Sequence, residues 1–311
     1  FAVDLTGWKA RGDITFDFKP GTILPATGLL YLSPNVSQFR ARTTGPRGGQ
    51  GLFVQGNYDG HLSARGGTVR LFNDYDREID AYVHSAAPSL PQQFLRITEL
   101  MYHPPPPSGG TNTDEDFEFI ELRNISPNQT LNLTGVRFVD GVQFSFADGA
   151  VTSLAPGARV LVVANRVAFT NRYPGGWPIA GEYTGRLANA GERIRLVDAL
   201  GEDILDYSYD NQWHPITDGL GFSLVIQDDA APWNSWESAS NWHPSSVLFG
   251  SPGMPDIAPL AFAPIRVNEV LTAPLLPNGD AIELFNPTTT NVDLSGWWLS
   301  DNLASPKKYR I

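Results

Sequence analysis

Apolar and polar residues alternate along this chain in short runs and do not recur at helical spacing. The runs 95–101, 117–123, 142–146, 159–164, 193–197, 204–209 and 222–227 each set Val, Ile, Leu, Phe or Tyr on one face with polar residues between. Period-two patterning of this kind predicts strands that turn one face to a core. About seven such strands in roughly 130 residues is the number an immunoglobulin-like sandwich needs. Asp140-Gly141, Asp148-Gly149 and Asn189-Ala190-Gly191 lie between the runs and offer the positive-φ positions of tight hairpins. With 30 Gly and 25 Pro, the chain is too heavily punctuated for long helices, and helices are expected to be almost absent.

The pattern also repeats at domain scale. Val3-Asp-Leu-Thr-Gly-Trp8 returns as Leu131-Asn-Leu-Thr-Gly-Val136 and as Val292-Asp-Leu-Ser-Gly-Trp297, at spacings of 128 and 161 residues. Such periods exceed those of solenoids. Residues 58–80 run beside 183–206 with Tyr, Gly, Leu, Gly, Arg and Leu in register, and 31–39 answers 162–169. Upstream of the shared turn, Arg96-Ile-Thr-Glu-Leu100 and Phe119-Ile-Glu-Leu122 are answered by Arg266-Val-Asn-Glu-Val270 and Ala281-Ile-Glu-Leu284. The first copy shows only the later strands and the third only the earlier ones. The expectation is a piece of a longer array, all-β, of tandem immunoglobulin-like sandwiches. Its parts are a partial domain at 1–86, a linker at 87–94, a complete domain at 95–228, a Trp- and Pro-rich closing segment with linker at 229–263, and the first part of a third domain at 264–311.

Composition narrows the function. The 311 residues contain no cysteine, which excludes disulfides and thiolate chemistry, so each domain has to stand on its apolar core. A net charge of −11, from 33 acidic and 22 basic residues, argues against nucleic acid. Only Lys307, Lys308 and Arg310 cluster. No apolar run is long enough to span a membrane, and no signal peptide opens the sequence.

Three groups of residues offer chemistry. Glu99 and Glu121 recur as Glu269 and Glu283; paired carboxylates can bind a cation or act as acid and base, or they can bond a neighbouring loop's backbone, the reading we favour. Asp114, Glu115, Asp116 and Glu118 crowd a stretch preceded by Pro104 to Pro107, where calcium would find oxygen ligands. Their spacing is not that of an EF-hand, and a solvated loop is the plainer reading. Trp213, Trp233, Trp236 and Trp242, with His214 and His243 in the twice-used Trp-His-Pro, fit either a sugar-stacking or metal-binding face or the packed end of a sandwich, and packing is favoured. Neither a Gly-x-Ser-x-Gly elbow, a phosphate-cradling glycine loop nor His-Glu-x-x-His is present. No catalytic, cofactor or metal residue is therefore assigned, calcium being the one cofactor left open. The Asn-x-Ser/Thr matches at Asn35, Asn124, Asn128 and Asn132 would be accidental in a bacterial chain.

Taken in order, the Arg-Ile-Thr-Glu-Leu strand, the Ile-Glu-Leu strand and the Leu-Asn-Leu-Thr-Gly turn resemble the lamin tail domains found in large bacterial surface proteins, and the stretch 219–256 resembles the segment that often follows such domains in bacterial multidomain proteins. That resemblance implies a noncatalytic sandwich serving as spacer, adhesion or protein-interaction module of a secreted or cell-surface protein, with a protein or cell-surface polysaccharide as partner. Eukaryotic relatives contact DNA, a role that the acidic balance opposes. The alternatives are a carbohydrate-binding accessory module built on the tryptophans, or the accessory region of an enzyme whose catalytic domain lies outside 1–311.

Overall fold

Strands with one dry face must stack in pairs of sheets. The computed structural model describes residues 1–43, 45, 51–107, 109–256, 263–272, 279–302, 305 and 307–311. It divides into two compact units, Phe1–Ile257 and Ala258–Ile311. Of the expected linker before the third domain, 257–262 lie outside the described residues, as does Ser108 of the proline-glycine loop.

The centre of the first unit is the expected sandwich. One sheet runs Ile179–Glu182, Arg159–Val163, Phe119–Asn124, Leu95–Met101, Leu224–Ile226, Trp242–Pro244; the other runs Thr184–Gly185, Val142–Ser145, Arg137–Asp140, Arg193–Val197, Asp203–Ser208. Ile97, Leu100, Ile120, Leu122, Val160 and Val162 of the first sheet meet Phe138, Ile194, Leu196 and Leu205 of the second in one core. The outer face of the six-stranded sheet is covered as well. There Met101, Phe119, Leu161 and Val163 pack under Phe169 of the helix Arg166–Arg172, with Phe119 and Phe169 edge-to-face at 5.6 Å. Covered on both sides, Leu95–Met101 is buried at every residue.

Several expectations need correction. Helices were expected to be almost absent, yet Asn165 accepts from the Ala168 amide and starts the helix Arg166–Arg172 just after the run 159–164; Asn35 does the same through Gln38 for Val36–Ala41. An amide side chain that satisfies an orphan donor of the first turn suffices to nucleate such a short helix when tertiary contacts hold it. The stretch 87–94 is not a free linker. Ser89 and Gln92 form a capping box at the head of the helix Leu90–Phe94, and Gln92 bonds Asp203 O. Within the closing segment, Trp242–Pro244 is a strand of the main sheet paired to Leu224–Ile226. Gly141 and Gly191 take the expected positive φ, 79° and 104°, whereas Gly149 sits at −88° and ends a 3-10 turn.

The start of the chain builds a second five-stranded sheet, ordered Asp59–Gly60, Ile14–Asp17, Lys9–Gly12, Gly67–Phe72, Glu78–His84. It has the same succession of neighbours as the central one, and a parallel pair, Tyr31–Ser33 with Val54–Gly56, stands where the centre has Arg159–Val163 with Ile179–Glu182. Leu5, Ala10, Ile14, Phe16 and Phe18 form its small core. It is joined to the central sandwich through Arg65, which donates to the carbonyls of Gln92, Asp203 and Ile204 and lies 4.2 Å over the Trp233 ring. Glu202 adds bonds to the Ala64 amide and to His61.

The second unit pairs Arg266–Leu271 with Ala281–Phe285, and Trp298–Leu299 with Tyr309–Arg310. Its first hairpin has a bulge between Val267 and Glu269, matching the one between Ile97 and Glu99.

Trp236 and Trp242 are fully buried, and the Trp236 indole N–H donates to Ile97 O at 3.0 Å. Trp236→Ala is expected to cost about 3–5 kcal/mol in chemical denaturation, against less than about 1 kcal/mol for the half-exposed Trp298. Equal losses would mean that the closing segment is not part of the sandwich core.

Candidate functional site

Register brings the recurrent glutamates together. The bulge after Ile97 leaves Glu99 directly opposite Glu121 on neighbouring strands, on the face shared with Phe119 and Leu161. Both side chains are out of water, Glu99 at 1% and Glu121 at 0% exposure. Buried charges survive only if paired and hydrogen-bonded, and here the chain returns from far away to do so. Glu121 receives the guanidinium of Arg159, the Thr98 hydroxyl at 2.6 Å and the Gly253 amide at 2.6 Å. Glu99 receives the Ser223 hydroxyl at 2.6 Å and the Ser251 amide at 2.8 Å. Position 250 has to be glycine, since its φ is 84° and a Cβ there would stand 2.3 Å from Glu99 Oε1.

Burial raises both carboxyls above the ordinary carboxylate range. For Glu99 the facing Glu121 adds to the rise; for Glu121 the Arg159 charge opposes it.

The acidic stretch does not converge. Glu115 pairs with exposed Arg186, Asp116 bonds Thr113 N and Asn165 Nδ2, and Asp114 stands 3.7 Å from His103, which bonds Asp218 at 2.5 Å. Glu118, expected in a solvated loop, is fully buried and accepts from Tyr183 Oη at 2.7 Å and Leu187 N at 2.8 Å. Its Oε1 has no hydrogen-bond partner among the described residues. Burial pushes its pKa up to about 8. Among the described residues no group of three His, Asp or Glu side chains is placed to hold a metal ion.

The tryptophans are spent on packing. Trp242 stacks on Tyr207 and donates to Trp236 O, and Trp213 leans on Trp242. His214 and His243 each bond a backbone carbonyl, that of Trp242 and that of Pro244. A face for stacking sugars would need these rings in water, and of the four only Trp233 reaches 36% exposure, under Arg65. Beside the carboxylates, a groove of about 570 Å³ is lined by Tyr173, Trp177, Leu248, Phe249 and Met254, and no Asp, Glu or His lines it.

Sequence reasoning found Glu99 and Glu121 but missed Arg159, Ser223, Ser251 and Gly253. One signal was available. Thr98 precedes Glu99 as Asn268 precedes Glu269, and Asn268 donates to Glu283 as Thr98 does to Glu121.

Fold and site together define an all-β, immunoglobulin-like sandwich whose interior carboxylates bond its own loops. Residues 89–211 match the family model of the Lamin Tail Domain. No curated protein and no solved structure matches the chain.

Two predictions follow from the burial. Glu121→Ala should cost about 3–5 kcal/mol because Arg159 is left uncompensated; Glu283→Ala, at an exposed position, should cost less than about 1 kcal/mol. Urea unfolding of both variants compares them, and similar losses would refute the role of burial. For Glu118 the folded pKa lies above the unfolded one, so the folded state binds more protons and its contribution to stability falls as pH rises from 4.5 to about 8. Glu118→Gln keeps an acceptor for Tyr183 and Leu187 and removes the titration. Relative to the parent chain it should gain stability on going from pH 5 to pH 8, and a constant difference in thermal midpoint would show that Glu118 does not titrate there.

Proposed function

We propose that the chain is a tandem array of lamin-tail-type sandwich modules acting as a noncatalytic spacer and protein-interaction region of a secreted or cell-surface bacterial protein. The observation that carries this reading is the recurrence of one plan. The five-stranded sheets at 9–84 and 137–208 have the same strand order, and the bulged Glu-Glu hairpin at 95–124 returns at 266–285. Modules of this plan would occupy 1–86, 95–256 and 264–311, the closing segment belonging to the middle one because it supplies an edge strand and two core tryptophans. Repeats that differ in loops but keep a frame suit presentation at a surface better than a single chemistry.

The noncatalytic part of the proposal is supported by where the acids go. Glu99, Glu118 and Glu121 are buried against the chain's own donors, whereas general acid–base work requires reach to a substrate. Among the described residues no helix is long and apolar enough to cross a membrane. The carbohydrate alternative loses its two strongest residues, since Trp236 and Trp242 are at 0% exposure.

The test is retention of the purified chain on bacterial cell-envelope fractions, together with turnover assays on chromogenic esters, glycosides and phosphates. Retention that disappears once the envelope is digested with protease, and no turnover, is the expected result. Retention that survives protease but not polysaccharide removal would favour the carbohydrate reading. Turnover abolished by Glu99→Gln would overturn the noncatalytic one.

A further inference from the structure

The groove beside the buried glutamates has a neighbour. Past the walls made by Tyr173, Trp177, Leu248 and Met254 lies a second groove of about 480 Å³, bounded by Pro105, Pro107, Asn112 and Phe117. Two residues, Arg172 and Phe249, line both. The double groove is built wholly by the complete central module: the end of the helix Arg166–Arg172, the loop that follows Leu95–Met101, and the closing segment.

Phe249 is held there against its backbone preference. Its φ of 72° lies in the left-handed region, which a bulky side chain occupies only under constraint. Two hydrogen bonds supply that constraint: the Phe249 amide donates to Gly221 O at 2.5 Å, and its carbonyl accepts from Tyr173 Oη at 2.7 Å. Trp177 is fixed from two sides as well. Its indole N–H donates to Tyr173 O at 2.7 Å, and Gly253, at a φ of 80°, brings the closing segment so near the ring that a Cβ would stand 2.5 Å from it. With the Trp177 N–H and the Tyr173 O–H engaged by the chain itself, these two rings have only apolar surface to offer a ligand.

Among the described residues that line the two grooves, Arg172 carries the only charge. Its guanidinium lies 3.4 Å over the Phe117 ring and 5.2 Å from that of Phe249, and Nη2 donates to Pro105 O at 3.1 Å. Nη1 is shut off from water and has no hydrogen-bond partner among the described residues. An orphaned donor on a cation is costly, and a carboxylate answers both the donor and the charge. The cation stands where the two grooves meet, so the anion it suits is in the middle of its ligand. A fatty acid or a chain terminus carries its carboxylate at one end; an internal acidic residue has chain on both sides. We infer that the double groove seats an extended peptide of a partner protein, with an Asp or Glu side chain at Arg172 and apolar residues in the lobes to either side. This deepens the protein-interaction reading above and rests on it.

The experiment selects a displayed library of short random peptides on the full chain. The most enriched peptide is synthesised with a fluorescent label, and its affinity is read by anisotropy beside a version in which the acid is replaced by its amide. The expected consensus is an Asp or Glu with apolar residues on both sides, and the amide version should bind about tenfold more weakly. Met254→Asp puts an acid into the groove at a position 58% exposed, where the substitution leaves the core untouched; repulsion should lower the affinity about tenfold. Leu200→Asp, at an exposed position outside both grooves, should leave it unchanged. No enrichment, a consensus without an internal acid, displacement of the peptide by myristate, or equal affinities for the parent and Met254→Asp would each overturn the inference. Envelope retention is measured on the same variants. Retention without any peptide binding removes this groove and leaves the module reading standing, whereas peptide binding without retention does the reverse.

Discussion

Two carboxylates side by side inside a sheet impose the constraint on which the central sandwich depends. Glu99 and Glu121 are brought opposite each other by a one-residue bulge, and leaving both without partners in a dry interior would cost several kcal/mol each. The chain meets the cost with donors from three places: Thr98 and Arg159 in the sheet, Ser223 just before the strand Leu224–Ile226, and Ser251 and Gly253 in the closing segment. Satisfying the pair thus draws residues 250–253 over the outer face of the sheet. The glutamates act as a latch for a strap that a hydrophobic core alone would leave undirected, since apolar contact has no preferred angle.

The same constraint explains the difference between the units. Glu269 and Glu283 keep the bulge, the register and the Asn268 bond, yet both are exposed. A Glu pair in water needs no strap. The motif is therefore preserved at the level of the hairpin, while its energetic meaning changes with what covers it.

Much of this was legible in the sequence, and what was missed has a common cause. Alternation located the strands, and the repeated Ile-Glu-Leu located the glutamates, because both are local patterns. The strand Ile179–Glu182 was invisible because a parallel partner buried on both faces does not alternate. Trp242–Pro244 was hidden by its proline, a residue tolerated there because it lies on the edge of the sheet. Glu118 read as one acid among four, yet it alone is turned inward by the 3-10 turn Glu115–Phe117 and bonded by Tyr183. Arg159, Ser223, Ser251 and Gly253 carried no sequence signal, since their role exists only after the strap has crossed the sheet.

The joint at 87–94 has a different kind of consequence. Ala87 bonds back to Ala64, Ser89 caps a helix and also reaches Asp198, and Arg65 grips three carbonyls across the boundary. A protease needs several residues of extended, accessible backbone to seat its substrate, and here the backbone between two sandwiches is already engaged. Limited digestion, the usual way of cutting an array into its beads, would find no easy entry at this bead boundary, and the first two would travel as one fragment.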